Sequence, residues 1–212
     1  MKKVLCICLA FLFCFMTAGY AAEATTSDDI SGAELFGKEE NGNYENAFIG
    51  LGFKLEDWHL YTDEEIDAMN NLSKALLTED YSKMMEQIDV IYVMMAVDSA
   101  TGTNINIALN NLGGMASIYD VMGMEYIATN NVDPSISMMK ASGYQDVAVE
   151  YAKTTIDGEE YHGLATSYKL QAFNMKSRLI MFIRDRYLVS VTVTGFTDEA
   201  VNECFERLYH LK

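Results

Sequence analysis

The chain has 212 residues, half of them apolar and 11% aromatic, with a single proline, a globular composition long enough to bury one sizeable core. Its 15 basic and 31 acidic residues give a net charge of −16. That balance argues against nucleic acid, which needs a concentrated basic face, and an anionic membrane surface would repel it.

Lys2 and Lys3, the unbroken apolar run Val4–Met16 and the small residues Ala18, Gly19 and Ala21 have the three-part layout of a secretory signal peptide. The run is too short to span a bilayer, and cleavage is expected after Ala21. Neither Leu5-Cys6 nor Phe13-Cys14 makes a lipobox, so residues 1–21 are read as a cleaved signal and the product as secreted or extracytoplasmic. Losing Lys2 and Lys3 but no acid moves the charge from −16 to −18. Cys6, Cys8 and Cys14 go as well, leaving Cys204 with no disulfide partner. Cys204 shares helical spacing with Val201, Phe205, Leu208 and Leu211, so a buried, inert thiol is expected.

Residues 22–42 are acidic and rich in Gly, Ser and Thr without a period, which reads as a flexible leader ahead of one domain over 43–212. Ile49, Leu51, Phe53 and Leu55 alternate as a half-buried strand, with Phe48 and Trp58 flanking it. Thr62 and Glu65 form a capping box that opens a helix. A second helix starts at Thr78, with Tyr81, Met84, Met85 and Ile88 on one face. Val90–Val97 and the alternating Ile105, Ile107 and Leu109 make a hairpin around Ser99–Thr103. Met115, Ile118, Met122 and Tyr126 return to helical spacing. Asp133-Pro134 predicts an N-cap with proline at the first helical position, and Gly143 a stop. Val147, Val149 and Tyr151 lead to Asp157-Gly158, a two-residue hairpin signal, and residues 159–173 return as a strand. Leu179, Met181 and Ile183 run to a turn at Asp185-Arg186, and Tyr187–Val193 makes the next strand. A helix capped by Thr197 is expected to close the chain and to carry His210 in its last turn. This order predicts an α+β fold, an antiparallel sheet covered by helices on its faces.

Two stretches carry a resemblance. Tyr44-x-Asn46-x-x-x-Gly50-x-Gly52-Phe53-x-Leu55-x-x-Trp58 resembles the opening of the PsbP-like fold, although Asp57 stands where that fold usually has proline. Arg184–Val193 is similar to its penultimate hairpin and last strand. The resemblance covers residues 44–212, mainly as element order, and implies a PsbP-like sandwich that partners larger assemblies without catalysis. It transfers no site residue.

The residues by themselves offer no catalytic constellation, cofactor motif or zinc spacing. His59, His162 and His210 lie far apart in sequence, and the acids Glu56-Asp57, Asp63-Glu64-Glu65 and Glu159-Glu160 stand at turns and helix starts. Gly113-Gly114 reads as a plain loop, and the methionine pairs Met84-Met85, Met94-Met95 and Met138-Met139 as core fillers. The expected function is a non-catalytic exported domain that binds a protein or cell-envelope partner. The alternatives are a small-molecule or calcium-binding protein using the cleft between sheet and helices, and then a hydrolase.

Overall fold

The computed structural model describes residues 35–62, 64–66 and 90–212. The signal segment, the leader up to residue 34 and the helix expected over Thr78–Ile88 lie outside the described residues.

Two antiparallel sheets pack face to face. Strands β1 (Lys38–Glu40), β2 (Asn43–Asn46), β3 (Leu51–Lys54) and β11 (Leu208–His210) form the smaller one, in the order β1-β2-β3-β11. The larger runs β4-β5-β6-β10-β9-β8-β7, built from β4 (His59–Leu60), β5 (Val90–Val97), β6 (Asn104–Asn111), β7 (Gln145–Ile156), β8 (Glu159–Leu170), β9 (Phe173–Arg184) and β10 (Tyr187–Gly195). Helices α1 (Ala116–Met122), α2 (Met124–Asn130) and α3 (Val132–Ala141) sit between β6 and β7, and α4 (Asp198–Phe205) between β10 and β11. The fold is α+β, as the element order predicts.

The main core lies between the sheets. Leu51 and Phe53 of β3 meet Ile105, Ile107, Val191 and Val193 of β6 and β10, all at 1% exposure or less. Each such side chain contributes about 1.5–3 kcal/mol by leaving water. Trp58 packs edge-on against Phe53 at 5.2 Å, and the Arg207 guanidinium lies over its indole. Cys204 is buried in this core beside Val201 and Phe205, and burial pushes its thiol pKa well up, so it is inert as expected. A second core on the other face of the large sheet joins Ala128 of α2 and Met139 of α3 to Leu164, Leu179 and Leu188.

Local signals are realised closely. Thr62 N–H donates to Glu65 Oε2 at 2.9 Å and Glu65 N–H to Thr62 Oγ1 at 3.3 Å, a reciprocal capping box. Ala200 N–H donates to Thr197 Oγ1 at 3.1 Å. Gly143 adopts φ 88° and donates to the Lys140 carbonyl, while Tyr144 N–H donates to that of Met139, so α3 ends in a Schellman motif. Asp157 and Gly158 both take positive φ, the two-residue turn that joins β7 to β8.

Several expectations are corrected. The fold takes up the chain before residue 43: Asn41-Gly42, with φ of 54° and 75°, is a two-residue hairpin turn joining β1 to β2, and Leu35 is already in the core. The strand expected over 49–55 is shorter, because 47–50 form a turn held by Gly50 N–H on the Asn46 carbonyl. Residues 159–173 do not stay one strand, since Gln171 takes φ 54° and β9 begins at Phe173. Helix α3 starts at Val132 with Asn131 as N-cap, which puts Pro134 third in the helix, where its missing N–H still falls among the unpaired first-turn donors. The last helix stops at Phe205, and Leu208–His210 becomes β11, pairing with β3 across more than 150 positions. His210 therefore sits on a strand, not at a helix end.

Candidate partner-binding face

The singled-out residues do not converge. His59 on β4 lies 3.1 Å from Glu65, at the surface. His162 on β8 faces Tyr151 of β7, Nδ1 to hydroxyl 2.7 Å, with the rings stacked. His210 Nε2 lies 2.8 Å from the Tyr161 hydroxyl and 3.4 Å from Glu159, and its backbone N–H donates to Asp157 Oδ2 at 2.8 Å. These contacts tie β11 to the β7–β8 hairpin. The acids are used singly: Glu56 pairs with Arg207 at 2.9 Å and Glu160 with Lys153 at 2.6 Å. Among the described residues no group of three or more His, Cys, Asp or Glu is placed to hold a metal ion. Gly113-Gly114 lies in a 3₁₀ turn with open space around both α-carbons. Met94, Met95 and Met139 are core fillers, each under 5% exposed.

An open depression of about 590 Å³ lies at the end of the small sheet, lined by Glu45, Gly50, Tyr209 and His210 among others. Tyr209 crosses its floor. From β11 its ring passes over Gly52 of β3, and its hydroxyl donates to Glu45 Oε1 of β2 at 2.9 Å. Burial, with the Glu45 carboxylate beside it, pushes the Tyr209 pKa up to about 12.

The second face of the large sheet carries a polar seam. Cross-strand register lines up Asn104, Thr194, Ser177 and Thr166 in one row and Asn106 with Thr192 in another, all buried. Ser177 donates to the Val193 carbonyl, but Asn106 Oδ1, Thr192 Oγ1 and Thr166 Oγ1 have no hydrogen-bond partner among the described residues.

The feature that sequence periodicity left undecided is on the helices. Ile118, Met122 and Tyr126, which share helical spacing, are 47%, 43% and 55% exposed, and Val121 is 88% exposed. The cause is Gly123. Its φ of 80° and ψ of 143° break one expected helix into α1, which buries only Ala116, and α2, which turns Ile127 and Ala128 to the sheet. The stripe is left as an apolar ridge flanked by the exposed acids Asp120 and Glu125. Glu125 lies close enough to Tyr151 and Lys153 of β7 to raise the pKa of both, though burial of Tyr151 and the Glu160 bond to Lys153 act more strongly. Ridge and β7 are thus neighbours. The signal available in sequence was Gly123 itself, centred in the apolar run.

No family profile matches the chain, and neither does any curated protein. Among solved structures the chain is similar to LpqN, involved in cell envelope biogenesis of Mycobacterium tuberculosis, at 10% identity and a TM-score of 0.41, covering 76% of this chain and 83% of that one. It is also similar to PA94 of Pseudomonas aeruginosa, of unknown function, at 8% identity and 0.31, covering 55% and 72%. Both likenesses are distant. Among the described residues no helix is long and apolar enough to cross a membrane.

Proposed function

We propose that this chain is exported and acts without catalysis, as a PsbP-like sandwich that binds a protein or cell-envelope partner through the α1–α2 ridge. The signal-like start supports export, and the β9–β10 hairpin followed by α4 supports the PsbP-like order. One observation carries the binding reading: Ile118, Val121, Met122 and Tyr126, four large apolar side chains, stand exposed together on α1 and α2. A contiguous apolar patch rimmed by polar groups marks an interaction site. The acids beside it, on a strongly negative chain, favour a partner with basic groups and make association salt-sensitive.

The test is crosslinking on intact producing cells with the tagged chain as bait. Val121→Glu is expected to keep the melting temperature, because that side chain is 88% exposed, and to lose the recurrent partner. Equal capture by the variant refutes the ridge as the site.

The polar seam favours a second reading, a neutral small molecule held between sheet and helices. A thermal-shift screen that finds a ligand whose effect Thr192→Val removes puts that reading first.

A further inference from the structure

We infer that β7 is a docking edge, along which an extended basic segment of the partner adds to the large sheet as an eighth strand. This rests on the partner-binding reading and names how the partner is held. Three observations carry it.

The first is the edge itself. The seven-stranded sheet ends in β4 at one side, two residues long, and in β7 at the other, twelve residues long. Among the described residues no strand pairs with the outer side of β7.

The second is the phase of its hydrogen bonds. The two-residue turn Asp157-Gly158 makes Ile156 and Glu159 the bonded pair that closes the hairpin. Bonded and non-bonded pairs alternate from there, so Thr155, Lys153, Tyr151 and Val149 direct their N–H and C=O groups away from β8. Edge strands are ordinarily guarded against such pairing by bulges, prolines or short length. Here the register shift and the left-handed Asp146 affect only Gln145–Ala148, and pairing with β8 is unbroken from Ala148 to Ile156. No proline interrupts it, and the one lysine, Lys153, is held by Glu160 on β8.

The third is charge. Between Gln145 and Glu160 there are five acids, Asp146, Glu150, Asp157, Glu159 and Glu160, against Lys153 alone. Glu125 adds to the same field from α2, which packs on β7 and β8. A second copy of this chain would bring its own charge of −16 to the edge, so pairing between copies is opposed and a segment bearing Lys or Arg is favoured. Strand addition takes affinity from main-chain hydrogen bonds and specificity from alternate side chains.

The experiment uses an acetylated octapeptide of alternating lysine and valine as probe. Lys153→Pro removes one outward N–H without touching the β8 ladder, and Lys153→Ala keeps it. Lys153→Ala is expected to bind the probe at least as well as the wild type, and Lys153→Pro about tenfold or more weaker than either. Hydrogen exchange on the complex is expected to slow at Val149, Tyr151, Lys153 and Thr155. If Lys153→Pro does not fold, a probe N-methylated at every second residue carries the test on the wild type and is expected not to bind. Absence of probe binding, equal binding of the proline variant or the methylated probe, or protection elsewhere overturns the inference. Cellular capture that survives Lys153→Pro but not Val121→Glu keeps the partner and removes this docking mode.

Discussion

Replacing Gly52 with alanine tests whether the glycine is there for the tyrosine that crosses it. Gly52 has ordinary strand geometry, absent from the positive-φ positions, so its reason must be steric. A methyl group built on it overlaps the hydroxyl end of the Tyr209 ring, with the hydroxyl oxygen 2.6 Å away. The ring must swing off, breaking its hydrogen bond to Glu45. A hydrogen bond to a charged group is worth about 1.5–3 kcal/mol, and the partly exposed site puts this one near the lower end, about 2 kcal/mol with the lost ring contact. Alanine recovers about 0.5–1 kcal/mol through the smaller entropy loss on folding. The single substitution should therefore cost about 1 kcal/mol, or about 2–4 °C in melting temperature. In a Tyr209→Ala background no ring is displaced, and Gly52→Ala should stabilise by about 0.5–1 kcal/mol. Denaturant unfolding of all four proteins gives the coupling, expected at about 2 kcal/mol. Additive effects, or equal destabilisation in both backgrounds, would refute the steric account.

Two further predictions concern polar side chains. Thr192→Val replaces a hydroxyl that has no partner among the described residues by an isosteric methyl, so stability should rise by about 1 kcal/mol, read by denaturant midpoint at unchanged slope. A drop would mean that the seam is satisfied in solution. Tyr209, with its pKa raised from 10.0 to about 12, contributes stability fully present below pH 10 and lost as pH rises through 12. The stability gap between the wild type and Tyr209→Phe should accordingly shrink between pH 10 and 12 and stay level below it.

What the sequence determined by itself was local. The capping box at Thr62, the Thr197 cap, the Gly143 stop and the Asp157-Gly158 turn each depend on a few neighbouring residues, and all stand in the structure as read. Asn41-Gly42 was equally legible and was hidden only by the acidic composition around it. Strand alternation likewise marked Ile105, Ile107 and Leu109 as one face and Asn104 and Asn106 as the other. Periodicity says which side chains share a face, and nothing about what covers that face. Hence Ile118, Met122 and Tyr126 share helical spacing, yet the break at Gly123 leaves all three exposed. Tertiary structure alone decided that Leu208–His210 pairs with β3, that the strands divide into two sheets, and that β7 is left at the edge. Those outcomes depend on contacts between segments far apart in the chain, whose pairing is settled by the burial of the whole core.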